Sequence, residues 1–171
     1  IQDIHNLFLQ CKSVSIDTRK IEKDSMFFAI KGENFDANTF AVKALELGAL
    51  FVVVDNASYV IDERTILVEN SLKSLQALAK FHRAYLKLPI IALTGSNGKT
   101  TTKELINVVI AKKYKTKATV GNLNNHIGVP LSLLSIQSDI EIAVIEMGAN
   151  HQKEIAFLCE IAQPTHGLIT N

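Results

Sequence analysis

The chain has only two cysteines among its 171 residues, and they lie far apart, at Cys11 and Cys159. Their spacing matches no metal-binding pattern. A pair this sparse favours free, structural thiols in a reducing compartment. We therefore expect a cytoplasmic protein.

Long runs of one charge sign and long apolar runs are also missing. The 18 basic and 17 acidic residues give a net charge of +1, so a nucleic-acid partner has no electrostatic support. No apolar run reaches the roughly 18 residues that a membrane-spanning helix needs. The remaining composition, 47% hydrophobic and 20% charged, is ordinary for a globular protein with one large or two small domains.

The first half of the chain, residues 1–86, alternates short strand-like runs with helical patterns. Apolar runs predict strands at 14–16, 26–30, 50–54 and 65–68. Apolar spacing of three and four predicts helices at 40–47, ending at Gly48, and at 71–86. Leu88 and Pro89 follow as a break, which places a domain boundary between residues 86 and 87.

The second half, residues 87–171, repeats strand and helix more regularly. Strands are predicted at 90–94, 117–120, 142–147 and 166–170, with helices at 99–112, after Pro130 and at 152–161. Such alternation is typical of an α/β protein with a parallel, doubly wound sheet. These four strands fall short of the five or more that are common in nucleotide-binding domains, so we expect a truncated sheet.

The most informative segment is the glycine-rich turn that follows the predicted strand at 90–94. Thr94-Gly95-Ser96-Asn97-Gly98-Lys99-Thr100-Thr101 opens onto a helix, where unpaired N–H groups and the helix dipole attract anions. Lys99 suits the outer phosphates of a nucleotide, and the Thr100 hydroxyl suits Mg²⁺. The general P-loop pattern needs a glycine at position 93, where this chain has leucine and places the glycine at 95. The alternative is an ordinary strand-to-helix turn in which Lys99 is merely solvated.

Glu146 ends the apolar strand predicted at 142–147. Ligands of open α/β sheets bind beyond the carboxyl ends of the strands, so an acid there can hold Mg²⁺ beside a phosphate loop. The alternative is a strand-terminal glutamate that faces solvent.

Three asparagines, Asn122, Asn124 and Asn125, lie in the segment 121–130 between a strand and a helix. Their amides offer uncharged donors and acceptors that suit sugar or amide groups, although asparagine and glycine also favour plain turns. His126 stands beside them, and a single loop histidine is usually neither a ligand nor a base.

Two polar loops of the first half, 15–20 and 31–40, flank the strand predicted at 26–30. Arg19 and Lys31 could meet a diphosphate, and Asp36 or Asn38 could bond a uracil or a sugar. From spacing alone, solvated turn residues with a capping aspartate are the favoured alternative.

Four stretches together resemble the Mur ligases and the related folylpolyglutamate synthetases, ATP-dependent enzymes that make amide bonds. They are Ser15–Arg19 with Met26–Phe40, Thr94–Lys103, Gly121–Leu134 and Glu146–Asn150. The asparagine segment followed by Glu-Met-Gly-Ala-Asn is most similar to the branch that adds D-Ala-D-Ala. Ala37 stands where a glycine is expected in that branch.

The resemblance implies a small α/β domain at 1–86 that binds a UDP-sugar substrate. It also implies a partial P-loop-type ATPase domain at 87–171 and a third domain that is absent here. The implied reaction joins UDP-N-acetylmuramoyl-tripeptide to D-Ala-D-Ala through an acyl phosphate, with ATP and Mg²⁺, in a cytoplasmic monomer of peptidoglycan synthesis. We expect this piece alone to be inactive.

The resemblance also implies site residues. Lys99 and Glu146 are the implied catalytic residues, and Thr100 and Glu146 the metal ligands. ATP binding is assigned to Gly95, Ser96, Asn97, Gly98, Lys99, Thr100 and Thr101. Substrate binding is assigned to Ser15, Asp17, Arg19, Lys31, Asp36, Asn38, Asn122, Asn124 and Asn125. Another Mur ligase, a folylpolyglutamate synthetase, or a module that only binds a UDP-sugar remain alternatives.

Overall fold

The computed structural model describes all residues, Ile1–Asn171, and divides into two compact units at 1–78 and 79–171. The division falls inside a helix at Ser71–Leu86. The boundary predicted from the sequence lies later, at the end of that same helix. Each unit contains a parallel sheet with helices, so the α/β class is confirmed.

The first unit begins with a helix that the sequence patterns did not predict. Its helices are α1 (Gln2–Phe8), α2 (Ala41–Glu46) and the start of α3 (Ser71–Leu86). Its strands are β1 (Val14–Ser15), β2 (Ser25–Phe28), β3 (Lys31–Gly32), β4 (Phe35–Asp36), β5 (Ala49–Val54) and β6 (Thr65–Leu67). Short 3-10 turns occupy Thr18–Lys20, Ala37–Phe40 and Ala57–Tyr59.

The sheet of the first unit has the order β1-β2-β5-β6, and all its strands are parallel. The central strands are almost wholly apolar because both faces of a parallel sheet are covered. Phe27 and Val52 pack with Ala41 and Ala44 of α2 in the core. Helix α2 ends before Gly48, whose φ of 103° lies in the left-handed region, so the predicted glycine stop is confirmed. The strands β3 and β4 form a separate antiparallel pair.

The second unit alternates strands and helices throughout. Its strands are β7 (Ile90–Gly95), β8 (Thr116–Ala118), β9 (Ile142–Glu146) and β10 (His166–Thr170). Its helices are α4 (Lys99–Ile110), α5 (Gly128–Leu134) and α6 (Glu154–Ala162), together with the end of α3. Helix α5 begins before Pro130 rather than after it. Proline is tolerated there because the first N–H groups of a helix have no partner within it.

The sheet of the second unit has the order β10-β7-β9-β8, again with every pair parallel. The predicted parallel sheet therefore forms, with β7 and β9 at the centre. Helix α4 packs on β8 and β9, and α5 packs on β9 and α6. Strand β10 is an edge strand whose Ile169 is 80% exposed.

None of the helices combines the length and the apolar character that crossing a lipid bilayer requires. Cys11 and Cys159 are both free thiols, as predicted. Burial raises the pKa of Cys11 to about 12, and burial also raises the pKa of Cys159. Both thiols are therefore protonated and unreactive at neutral pH.

Arg83, on the last turns of α3, closes the carboxyl end of α6. Its Nε donates to the carbonyl of Ala162 at 2.9 Å and its Nη2 to the carbonyl of Gln163 at 3.1 Å. The side chain is 7% exposed, and this burial lowers the pKa of Arg83. The last carbonyls of a helix have no intrahelical partner, so the guanidinium satisfies groups that would otherwise be buried and unpaired.

Replacing Arg83 with methionine is expected to lower the free energy of unfolding by about 2 kcal/mol, because the buried carbonyl of Ala162 and the part-buried carbonyl of Gln163 lose a charged donor. Urea unfolding followed by circular dichroism measures the change. Lys115→Met is the control, since it breaks only an exposed pair with Asp139 in the same unit. Equal effects of the two substitutions would show that Arg83 does not cap α6.

Candidate functional site

The loop that leaves β7, predicted to bind phosphate, packs on the end of β10. Gly95 has φ 142°, and a Cβ there would collide with the backbone of Thr170 on β10. Thr170 Oγ1 donates to the carbonyls of Thr94 at 3.2 Å and Asn97 at 2.6 Å. The Asn97 N–H donates to the carbonyl of Asn171 at 2.6 Å. The glycine at 95 therefore fits a loop that rests directly on the end of the neighbouring strand.

Helix α4 starts where the loop ends. Gly98 precedes its first residue with φ 78°, a left-handed conformation that favours glycine. Ser96, Asn97 and Gly98 are exposed, as are Thr100 and Thr101 on the first turn. The predicted phosphate-binding residues thus form a strand–loop–helix unit with an accessible helix amino terminus, the context that anion binding requires.

Lys99 is the first residue of α4 and folds over the loop. Its Nζ donates to the carbonyl of Gly95 at 2.7 Å and lies 3.2 Å from the carbonyl of Ser96. The same side chain lines an open cleft beside the loop. A mobile ammonium that already rests on the phosphate loop can reach a phosphate with little rearrangement.

Glu146 is buried at the carboxyl end of β9, opposite Leu93 of β7 in the parallel register. It is 2% exposed, which excludes the alternative of a solvent-facing glutamate. Its Oε1 accepts from Asn124 Nδ2 at 2.8 Å, and its N–H donates to Thr119 Oγ1 at 3.0 Å. Its Oε2 is buried without a hydrogen-bond partner. Because buried carboxylate oxygens are nearly always partnered, this orphan oxygen fits a divalent cation, for which carboxylate oxygen is a preferred ligand.

Lys103 and Thr119 support the backbone next to Glu146, and neither was predicted from the sequence. Lys103 is 1% exposed, and its Nζ donates to the Thr119 carbonyl at 2.7 Å and pairs with Glu104 at 2.9 Å. The one available signal was that Lys103 follows Lys99 by one helical turn. No feature of the sequence distinguishes Thr119 from other strand-end threonines.

A cleft of about 510 Å³ lies beside the phosphate loop in the second unit. Its wall is formed largely by the amides of asparagines, the imidazoles of histidines and a glycine. The lining residues are Lys99, Asn122, Asn124, Asn125, His126, Gly148, Ala149, Asn150, His151, Glu154, Phe157 and Leu158. The cleft thus brings together the three predicted asparagines, with Lys99 as the link to the loop.

Asn125 has a structural role as well as a place in the cleft. Its Oδ1 accepts from the N–H groups of Ile127 at 3.1 Å and Gly128 at 2.8 Å, at the start of α5. These hydrogen bonds hold a turn at the start of the helix, as the turn interpretation of this segment expects. The asparagine segment is therefore a turn that also faces a cleft.

The opposite wall of the cleft, at the start of α6, was not predicted. Glu154 Oε2 accepts from the N–H groups of Asn150 at 2.6 Å and His151 at 3.0 Å. These hydrogen bonds lower the pKa of Glu154, so the carboxylate stays ionised at neutral pH. The signal in the sequence was the Glu-Met-Gly-Ala-Asn stretch, which ends at Asn150.

In the first unit, Asp17 and Arg19 line a separate pocket of about 560 Å³. Arg19 Nη2 donates to Asp17 Oδ2 at 2.7 Å, and hydrogen bonds from Arg19 hold the pKa of Asp17 at about 2. Ser15 Oγ donates to the Asp17 carbonyl at 2.9 Å and so shapes the same turn. The two charged side chains face solvent as a pair.

Aromatic side chains form the apolar part of this pocket. Phe35 is 55% exposed and stacks on Phe40, with ring centroids 5.5 Å apart. Ala37 lines the pocket too, and its φ is not in the left-handed region. The turn at position 37 therefore accepts alanine in place of the expected glycine.

Lys31 and Asp36 lie in the neighbouring β3–β4 hairpin and Asn38 in the 3-10 turn that follows it, and none of the three lines that pocket. Lys31 pairs with Asp36 at 3.3 Å. Asn38 is fully buried, and its Nδ2 donates to Asp36 at 2.7 Å and to Asp55 at 2.8 Å. The contacts of Asn38 hold the hairpin against the end of β5.

Family models match both units of the chain. A model described as "Mur ligase family, catalytic domain" matches residues 10–84, and one described as "Mur ligase middle domain" matches residues 93–171. Together they account for nearly the whole sequence.

Curated relatives agree with these models. The UDP-N-acetylmuramoyl-tripeptide--D-alanyl-D-alanine ligase of Bacillus subtilis (strain 168) is 43% identical over 160 residues, which is 92% of this chain and 35% of the relative. The Escherichia coli (strain K12) ligase of the same name is 40% identical over 159 residues, or 93% of this chain and 35% of the relative. The chain thus spans about a third of the length of these relatives.

Solved structures show the same similarity. MurF from Acinetobacter baumannii superposes with a TM-score of 0.85 at 34% identity, over 98% of this chain and 40% of that one. MurF ligase from Thermotoga maritima, solved in complex with ADP, superposes with a TM-score of 0.80 at 34% identity, over 92% and 36%. With both units matched in sequence and in structure, the chain belongs to the Mur ligase family.

Proposed function

We propose that this chain is the UDP-substrate-binding and ATP-binding part of a ligase that adds D-Ala-D-Ala to UDP-N-acetylmuramoyl-tripeptide. One observation carries the proposal. The exposed loop Gly95–Gly98 opens α4 beside the buried carboxylate of Glu146, on neighbouring parallel strands. This pairing of an anion cradle with a cation ligand suits a magnesium nucleotide.

The similarity to named relatives supports the choice of substrate. Curated relatives from 35% to 43% identity share the D-alanyl-D-alanine ligase name. A 2,6-diaminopimelate ligase structure is only 22% identical and shows the fold alone. Another Mur ligase, or a folylpolyglutamate synthetase, is therefore the less supported alternative. A module that only binds a UDP-sugar does not account for the phosphate loop.

In the proposed reaction, the terminal carboxylate of the tripeptide attacks the γ-phosphorus of ATP, and ADP leaves. The amine of D-Ala-D-Ala then attacks the acyl phosphate and releases phosphate and a proton. The protein supplies position and charge. Lys99 would face the β- and γ-phosphates, and the N–H groups at the start of α4 would hold the phosphate chain. Thr100 and Glu146 would hold Mg²⁺, which neutralises phosphate charge when bound.

The substrate contacts are proposed by unit. In the second unit, Asn122, Asn124 and Asn125 would meet the sugar or peptide. In the first unit, the nucleotide end would meet Ser15, Asp17, Arg19, Lys31 and Asp36. Asn38 was predicted as a further contact, but it is fully buried and would instead hold the hairpin that carries Lys31 and Asp36. The stacked pair Phe35 and Phe40 offers an aromatic surface beside Arg19 that suits a base.

The remaining proposals concern context. We propose domains at 1–86 and 87–171, with a third domain supplied by the full-length protein. That protein is proposed to work as a cytoplasmic monomer on small-molecule substrates, with neither nucleic acid nor membrane as a partner.

The 171-residue chain alone is expected to bind substrate but not to ligate. Calorimetry titrated separately with UDP-N-acetylmuramoyl-tripeptide and with Mg-ATP measures binding. Phosphate release with both substrates and D-Ala-D-Ala measures the reaction. ATP-dependent ligation by this chain would contradict the proposed need for further residues.

Lys99→Ala in the full-length protein is expected to abolish phosphate release and leave the affinity for UDP-N-acetylmuramoyl-tripeptide within about twofold. The reason is that the hydrogen bonds of the Lys99 ammonium go to carbonyls of the loop, those of Gly95 and Ser96. Phosphate release and calorimetry measure the two effects. Lys113→Ala is the matched control, because Lys113 is exposed and lies over the ring of Tyr114 in the turn that follows the same helix. If Lys99→Ala lost both phosphate release and affinity for UDP-N-acetylmuramoyl-tripeptide, Lys99 would be a structural residue.

A further inference from the structure

Asn124 is the one side chain that bonds the carboxylate of Glu146. Its Nδ2 donates to Oε1 at 2.8 Å, and Oε2 has no partner. The two oxygens of this carboxylate are therefore unequal. One is fixed by an amide, and the other keeps its lone pairs free in a buried position.

Asn124 is in turn held from three directions. Its N–H donates to the carbonyl of Asn122 at 2.8 Å, and its carbonyl accepts from the N–H of Gly148 at 2.7 Å. Its side chain packs so closely on Gly148 that a Cβ at position 148 would lie 3.0 Å from Asn124 Cγ. These contacts hold the amide in one place between the cleft and Glu146.

An asparagine suits this place for a chemical reason. An amide N–H donates to a carboxylate without adding charge, whereas a lysine or arginine would repel a cation and an aspartate would repel Glu146. The hydrogen bond selects one orientation of the carboxylate. Groups that orient a metal ligand in this way typically change metal affinity by about 10- to 100-fold when removed.

We infer that Asn124 is a positioning residue for the divalent cation of the bound nucleotide: it fixes Oε1 of Glu146 so that Oε2 faces the cation. This inference rests on the proposed function, because it requires Glu146 to hold that cation. It assigns Asn124 to cation positioning, in place of the direct contact with sugar or peptide proposed above.

The test compares ATP affinity with Mg²⁺ and with EDTA in the full-length protein. The readout is the ratio of the dissociation constant in EDTA to that in Mg²⁺. A merely structural residue changes both constants together and leaves the ratio unchanged. Asn124→Leu removes the donor at similar size and is expected to lower the ratio about tenfold, with the constant in EDTA within about twofold of wild type.

A second variant displaces the side-chain amide of Asn124 without removing it. Gly148→Ala pushes on the Asn124 side chain and is expected to lower the ratio in the same direction. Gly167→Ala is its matched control, because a Cβ at 167 meets no atom within 4 Å. An unchanged ratio in both Asn124→Leu and Gly148→Ala would overturn the inference.

Glu146→Gln separates this inference from the function on which it rests. If the ATP affinity of the wild type does not depend on Mg²⁺, or if that dependence persists in Glu146→Gln, the proposed cation role of Glu146 fails. The inference about Asn124 then fails with it. If Glu146→Gln loses the dependence while Asn124→Leu keeps it, only the inference fails.

Discussion

The parallel pairing of β7 with β9 is the constraint on which the candidate site depends. It sets Leu93, two residues before Gly95, opposite Glu146. Parallel strands end at the same edge of a sheet, so this register brings a loop that attracts anions and a carboxylate that attracts cations to one edge. Antiparallel pairing would send the two ends to opposite edges of the sheet. The parallel pairing of the strands therefore places the loop and the carboxylate at the same edge of the sheet.

Buried hydrogen bonds fix the carboxylate at that edge. Thr119 accepts from the N–H of Glu146, Lys103 donates to the carbonyl of Thr119, and Asn124 fixes one carboxylate oxygen. A buried carboxylate oxygen without a partner is unfavourable in the isolated chain. A cation that arrives with a nucleotide relieves this cost, so nucleotide and metal binding should reinforce each other.

Much of the fold followed from local patterns, whereas the support of the site did not. Helix α3 and strand β10 were predicted with their observed bounds, because apolar spacing and flanking breaks are local signals. The loop at 95–98 was predicted from its glycines; the close contact with Thr170 explains Gly95, and a left-handed backbone explains Gly98. The bonds of Lys103 to Thr119 and of Asn38 to Asp55 join distant positions, and no local pattern encodes them. Short elements such as α1 and the β3–β4 pair were missed for the opposite reason, since few residues carry too weak a pattern.

The central claim is that the end of β9 and the start of α4 hold one metal–nucleotide complex. A crystal structure of the full-length protein with ADP and Mn²⁺ tests it most directly, because manganese is located by its anomalous signal. We predict phosphates on the N–H groups of 98–100, at the start of α4, and manganese coordinated by Glu146 Oε2 and Thr100 Oγ1. Manganese bound without Glu146, or a nucleotide bound away from this loop, would contradict it.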